Sequence, residues 1–387
     1  MRIALNNALQ QDIFQKAQLC RMSGISDTTQ VIGITELQQF SEDVFIALGC
    51  READARLAAE VLISADKRGV DSHGIARLSG YARLVKNGRV NTNPQMRIIH
   101  ESPSTATADG DAGLGLVIAP QAMRIAIGKA KTCGTGWVSV CNSNHFGIAG
   151  YHAMLALEED MIGIAMTNAS AFVAPTFSTE RLLGTNPIAV AVPSGREAPF
   201  IADFATTTAS NGKLEILQRN RSKAPLGWVQ DQDGNPSDNA AILKEGGALL
   251  PLGSDKEHGS HKGYALGSIV DILSGVLSGG NYGPWVPPFP AYALMPQDMP
   301  GKGIGHFFGA MRIDAFRSAA AFKEDMDRWL KRFRSAQPAA GQKRVLVPGD
   351  AERDMEKERA QYGVPLPQAL VEELTALANE WNIPHPF

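Results

Sequence analysis

Two short stretches of this sequence hold residue types that can move a proton and grip an anion. In GVDSHGIAR (69–77) the imidazole of His73 stands four residues before the guanidinium of Arg77. Gly69 can stop one helix, and Asp71 or Ser72 can cap the next. His73 then falls in or beside the first turn, where the positive helix end lowers its pKa. The four-residue spacing sets His73 and Arg77 on one helical face, and Ser72 can steer the imidazole through a hydrogen bond. A proton-transferring imidazole beside a carboxylate-binding guanidinium suits a 2-oxo or 2-hydroxy acid. The same residues also fit a plain helix cap with a surface His and Arg.

The second stretch is SNHFGIAGYH (143–152), read as the turn between a strand and a helix. Free N–H groups at a helix start, with Gly147 and Gly150 permitting close approach, can cradle phosphates or a carboxylate. His145 at the strand end can meet a substrate. A tight turn with a satisfied His fits equally. Weaker candidates are Thr185 in GTNP (184–187), the hydroxyl-rich DFATTTASNGK (203–213), Lys262 in SHKG (260–263) and the carboxylates of VPGDAER (347–353). Each alone reads as a turn.

These turns need elements to hold them. The 387 residues suggest two or three folding units, and 44% hydrophobic with 20% charged residues is a globular composition, which argues against disorder or coiled coil. A net charge of −3 leaves no cationic reservoir for nucleic acid. The most apolar stretch, 263–280, contains Asp271 and several Gly and Ser, so no membrane span is expected. The first residues have no apolar core before a small-residue cleavage site, so no secretory signal is expected. Four scattered cysteines, Cys20, Cys50, Cys133 and Cys141, suit a reducing compartment such as the cytoplasm. They read as small buried hydrophobes, with Cys133 and Cys141 the alternative redox pair.

Residues 1–33 have little periodicity and read as an arm, ordered by a partner chain if at all. From 34 to 100 the pattern is helical. Thr35 and Gln38 suggest a capping box, followed by Leu37, Phe40, Val44 and Leu48 at helical spacing. A second helix is predicted near 51–67 and a third near 74–86, with Leu78, Tyr81 and Val85 on one face. Between 101 and 315, short β-rich runs alternate with Gly and Pro turns. A β-α-β unit is predicted from 136–141, 151–159 and 162–167, with further strands near 187–192, 199–203 and 306–313 and a helix near 263–277. Residues 222–259 read as a long loop. Helix returns over 318–335, with the stripe Phe322, Met326, Trp329 and Phe333, and again after Val364. The expected fold is α/β in the α+β sense: a sheet-containing cofactor domain (101–315) inserted into a discontinuous helical domain (34–100 and 316–387).

Several other signals fail on spacing. GDAGLG (110–115) has its glycines in the wrong order for a dinucleotide loop, and GKGIGHFFG (301–309) leads into a strand, so a standard Rossmann domain is not expected. A P-loop and a G-x-S-x-G elbow are absent. DQDGNPSDNAAI (231–242) lacks the Gly and Glu of a calcium loop, and His258 and His261 read as solvated loop residues, so no metal is expected.

Taken together, RGVDSHGIAR (68–77), NSNHFGIAGY (142–151), MTNAS with LLGTNPIAVAVP (166–170, 182–193), IADFATT with NGKLE (201–207, 211–215), GSHKGYAL (259–266) and VPGD (347–350) resemble the malate/L-lactate dehydrogenase family. This group has a non-Rossmann nicotinamide fold and includes sulfolactate and ureidoglycolate dehydrogenases and piperideine-2-carboxylate reductase. The motifs run in order over about 34–365. The resemblance implies a mixed, largely antiparallel sheet and a homodimer with active sites at the subunit interface. It also implies hydride transfer between NAD, with NADP the alternative, and a small 2-hydroxy acid. By position it implies that His73 is the acid/base with Ser72 orienting it, and that Arg77 clamps the substrate carboxylate. His145, Phe146 and Gly147 would line cofactor and substrate, with Thr185 a substrate contact. Asp203, Phe204, Ala205, Lys262, Pro348, Gly349 and Asp350 would touch the cofactor. Asp350 stands where the family often has Glu. Malate is the first substrate expected, ahead of lactate, sulfolactate and a cyclic imine. A ligand-binding protein that has lost catalysis is the alternative of another class.

Overall fold

The computed structural model describes residues 29–387 apart from Asn220, Ala291 and Tyr292. Most of the predicted arm and Cys20 lie outside the described residues. Its last part does not: β1 (Thr29–Ile32) pairs antiparallel with residues 364–367 of the same chain. Helix α1 (Ile34–Ala47) buries Leu37, Phe40 and Val44 as the periodicity requires. Its start differs from the predicted Thr35–Gln38 box. Gly33 is the N-cap, and Glu36 Oε2 accepts its N–H at 2.9 Å. Helix α2 (Glu52–Lys67) buries Val61 and Leu62 and gives way to Gly69, whose φ of 77° suits glycine.

The third predicted helix is shortened at its front. One 3-10 turn, Ile75–Arg77, precedes α3 (Leu78–Lys86). The cause is Asp66, whose Oδ2 accepts the Ile75 N–H at 2.6 Å. Its carboxylate lies 2.1 Å from where a Gly74 Cβ would stand. The chain therefore turns over Asp66 before winding into helix, and His73 lies outside it.

The central sheet is built from β2 (Arg97–Glu101), β3 (Thr105–Gly113), β4 (Thr135–Ser143), β5 (Met161–Thr167), β6 (Ile188–Val192), β7 (Phe200–Phe204) and a late strand, 304–312. Helix α4 (Gly115–Cys133) links β3 to the parallel β4, and α5 (Ala149–Met154) with a 3-10 turn follows β4. The sheet order is β2-β3-β4-(304–312)-β5-β6-β7. The predicted β4-α-β5 unit is thus split by a strand from far along the chain, antiparallel to both. The GDAGLG segment does join a strand to a helix, but a Cβ on Gly115 would meet Asn144 O at 2.1 Å. That glycine packs against the 144–145 loop rather than framing a phosphate site.

Helix α6 (Asn211–Arg219) follows β7. The predicted loop 222–259 instead contains a small sheet of β8 (Val229–Gln230), β9 (Pro236–Ser237) and β10 (Ala248–Leu249), over its own core with Leu214, Val229 and Leu249. Its strands are two residues long, too short to carry a periodic signal. Helix α7 (Ser260–Asp271) runs on as a π-turn, 272–276, before β11 (Ile304–Arg312).

Helix α8 (Ala319–Arg334) carries the predicted aromatic stripe half-exposed: Trp329 and Phe333 stack at 4.1 Å, and Trp329 meets Phe200 edge-on. Its Asp327 accepts the N–H groups of Gly195, Arg196 and Glu197, so this helix docks on the β6–β7 turn. Helix α9 (Asp350–Tyr362), β12 (Val364–Pro367) and α10 (Gln368–Trp381) return to the N-terminal helices, with β12 pairing β1. One apolar core runs from α1–α3 through α4 into the sheet. Cys50 and Cys141 are buried, whereas Cys133 is exposed, contrary to expectation; all three are free.

Candidate active site

His73 sits in the turn over Asp66. Ser72 Oγ lies 2.8 Å from its Nδ1, which leaves Nε2 for a substrate. Burial first, and then the Arg77 guanidinium, push its pKa down to about 4. The expected cause was a helix end; because His73 precedes the helix, enclosure replaces it. Neither predicted cap forms. Asp71 pairs with Arg359, and Ser72 is engaged with His73. Arg77 Nε donates to Ser72 O at 2.5 Å, and Nη2 to Glu215 Oε2 at 3.1 Å. Asn211 Nδ2 holds the other Glu215 oxygen at 2.9 Å.

The β4 end delivers His145. Asn144 Nδ2 pins that loop to the carbonyls of Ala112 and Gly113. The His145 ring stacks on His73 with centroids 5.7 Å apart and meets Phe289 at 4.7 Å. Its Nδ1 is 2.6 Å from the Tyr81 hydroxyl. Burial, then His73 and Arg77, hold the ring well below the usual imidazole range. Phe146 is not a cavity wall: it is 1% exposed and stacks on His306 at 4.9 Å, inside the core.

Two cavities meet at this point. The larger, about 500 Å³, is lined by His73, Gly147, Thr185, Asp203, Phe204 and Ala205, together with Arg68, Lys213, Glu352 and the hydroxyls of Thr207, Thr208 and Ser210. The smaller, about 80 Å³, is lined by His73, Arg77, His145, Thr185, Ser210, Asn211 and Gly212, with an apolar wall of Ala169, Phe172, Phe289 and Pro290. His73, Thr185 and Ser210 belong to both. Asp203 Oδ2 accepts the Gly150 N–H at 2.7 Å, and desolvation, outweighing that bond, pushes its carboxyl up to about 6. It faces the larger cavity while tying β7 to the start of α5.

Lys262 is exposed on α7 and lines neither cavity. The Pro348-Gly349-Asp350 turn also stands outside both. Partial burial opposes charge on Asp350, but bonds from Arg334, the Val347 N–H and Arg353 outweigh it and hold the carboxyl far below its usual range. All its oxygens are used within the protein. The turn acts through Pro348 O, which accepts the Ile201 N–H at 3.2 Å beside the larger cavity.

Sequence reasoning reached Ser210–Lys213 and Glu352 only as parts of weak turn motifs, and it gave no site role to Tyr81, Glu215 or Phe289. Tyr81 lay within a helical pattern, and Glu215 only within the NGKLE motif. Phe289 lay in the Pro-rich stretch 279–290, outside every motif of the resemblance. Its setting between Pro288 and Pro290 is the signal that stretch offered.

The family model described as malate/L-lactate dehydrogenase matches residues 32–375. A malate dehydrogenase of Pyrococcus horikoshii is 41% identical over 348 residues, covering 90% of this chain and 94% of that protein. An L-sulfolactate dehydrogenase of Methanocaldococcus jannaschii is 37% identical over 341 residues, covering 88% and 94%. The crystal structure of malate dehydrogenase from Entamoeba histolytica superimposes with a TM-score of 0.87 at 36% identity, over 93% of this chain and all of that one.

Proposed function

The chain belongs to the malate/L-lactate dehydrogenase family, and from that premise we propose that it interconverts malate and oxaloacetate with NAD. The family membership makes it a 2-hydroxy acid dehydrogenase acting on CH–OH with a nicotinamide cofactor. The observation that carries the residue roles is the junction of two cavities at His73, one large enough for part of a dinucleotide and one sized for a small acid. The larger cavity fits such a cofactor: Lys213 and three hydroxyls suit phosphate oxygens, and Glu352 can accept from ribose hydroxyls. Glu352 also repels a 2′-phosphate, which supports NAD over NADP.

When bound, the nicotinamide ring supplies the acceptor or donor for the hydride at C2. The chain does the rest. Arg77 holds the C1 carboxylate through its planar fork, exchanging Glu215 for the substrate. Neutral His73 takes the C2 hydroxyl proton on Nε2 during oxidation and returns it during reduction. Its lowered pKa keeps it unprotonated at neutral pH, with Nε2 free to accept that proton. His145 and Thr185 flank the reacting carbon, and Phe289 helps exclude water from it. Such proton transfer is worth about 10²–10⁴-fold in rate.

A lactate reading is favoured by one observation. The wall of Ala169, Phe172, Phe289 and Pro290 suits a methyl group, and Arg77 is the one charged side chain among the described residues lining the smaller cavity. For malate, the distal carboxylate needs a cation from a second subunit. That arrangement is supported by the exposed apolar face of Ile269, Ile272, Val276 and Leu277 on α7 and its π-turn, a surface suited to a second copy. The free cysteines suit the cytoplasm, and among the described residues no helix is long and apolar enough to cross a membrane.

The test is the near-ultraviolet absorbance of reduced nicotinamide, followed with NAD and NADP against malate, lactate, sulfolactate and a cyclic imine carboxylate. Malate should give the highest kcat/KM, and with NAD. A higher value for lactate selects the second reading. Cofactor binding with silence across the panel overturns both and favours a degenerate binding protein.

A further inference from the structure

We propose that Tyr81 is a positioning residue that fixes His145 in the tautomer with hydrogen on Nε2, making it a permanent donor to the substrate C2 oxygen while His73 alone carries the proton. The phenol is fully buried on α3, so its hydroxyl must find its partners inside the protein. One partner is His145 Nδ1, at 2.6 Å. The Gly147 N–H completes the arrangement: it donates to the same Nδ1 at 3.4 Å. That long bond favours Nδ1 as an acceptor without holding the tautomer by itself, and the much shorter Tyr81 bond fixes it. With Nδ1 an acceptor, the phenol hydrogen points at His145. The ring is neutral, so its single hydrogen sits on Nε2, the nitrogen left for the smaller cavity that His145 lines.

The stacked histidines therefore divide the work. His73 has an adaptable hydroxyl on Nδ1, Ser72 Oγ, which can donate or accept as the proton comes and goes. His145 has a phenol that only donates to it, so its tautomer does not change. A fixed N–H aimed at an oxygen that gains negative charge stabilises the transition state more than the ground state. The energetic part of this inference rests on the reaction proposed above; the tautomer does not.

The experiment uses the full chain, labelled with ¹⁵N histidine, as wild type and as Tyr81→Phe. The Phe variant keeps the ring contacts with Phe45 and Phe289. Without ligand, the wild-type His145 ring should show hydrogen on Nε2, and Tyr81→Phe should show a mixture of tautomers. With the best substrate of the panel, kcat should fall about 10- to 100-fold in Tyr81→Phe, a share of the loss caused by deleting such a donor, while KM changes less than about threefold. Hydrogen on Nδ1 in the wild type overturns the proposal, as does an unchanged kcat in a variant whose tautomer has become mixed. If no substrate of the panel turns over, the dehydrogenase reading fails, and the tautomer measurement still decides the role of Tyr81.

Discussion

Replacing His306 with glutamine should remove a defined part of the protein's acid sensitivity. His306 is fully buried on β11, between Thr167 Oγ1 at 2.7 Å and Ser143 Oγ at 2.8 Å, directly under Phe146 of the site loop. Burial, then the neighbouring His152, push its pKa down to about 3. In the unfolded chain the same group titrates near its ordinary value of about 6.5. Below that value the unfolded state binds a proton that the folded state refuses, so stability is full above about pH 6.5 and is lost as pH falls toward the folded value. Between about pH 7.5 and about pH 5 this single group costs about 2 kcal/mol. Asp203, whose pKa is raised, acts in the opposite sense over part of the same range. It is present in both proteins, so it cancels when the variant is subtracted from the wild type. The assay is urea denaturation of both at the two pH values, scored as the change in unfolding free energy for each. The wild type should lose about 2 kcal/mol more than His306→Gln on acidification, whatever the variant loses at neutral pH. Equal losses would mean that His306 titrates normally in the folded protein, which would refute its enclosure between Ser143 and Thr167.

His73→Asn should lower kcat by about 10²–10⁴-fold, with cofactor affinity, measured by fluorescence titration, little changed. Arg77→Lys keeps the charge but loses the fork, the Ser72 O bond and the stacking on Phe289 at 5.9 Å; substrate KM should rise about tenfold or more, the equivalent of one charge-assisted bond, with steady-state kinetics as the check. Gly212→Ala would drive a Cβ to 2.5 Å from Ser72 Cβ and 2.8 Å from Arg77 Nη2; kcat/KM should collapse while thermal stability drops far less. Asp350→Asn should cost about 2 kcal/mol in denaturation by removing the charge that Arg334 and Arg353 share, whereas a weaker cofactor Kd with unchanged stability would return Asp350 to a direct cofactor role.

Local patterns in the sequence carried α1–α3, α7, α8 and α10, whereas α4, α6 and α9 were not expected. Leu37, Phe40 and Val44 repeat at helical spacing and are buried on α1. The strands near 162–167, 188–192 and 200–204 are long enough to read and stand where expected. The misplaced helix starts share a cause. Glu36 rather than Gln38 caps α1, and Asp66 shortens α3, because hydrogen bonds chose among several suitable side chains. The strands β8–β10 are held by partners rather than by propensity.

The sequence alone determined the kinds of groups available: an imidazole, a guanidinium four residues later, a second imidazole at a β-α turn, and glycines wherever the backbone must turn tightly. Those are properties of single residues and near neighbours, and they sufficed to point to a small carboxylate substrate. The tertiary structure decided which of these groups meet. Strand β11 enters between β4 and β5 from some 140 residues downstream. Glu215 reaches Arg77 across 138 residues, and Phe289 and Tyr81 close on His145 from opposite directions along the chain. Such contacts pay loop-closure entropy and are selected by burial of the whole core, so no local period encodes them. The same enclosure, rather than the helix end that the sequence suggested, lowers the pKa of His73.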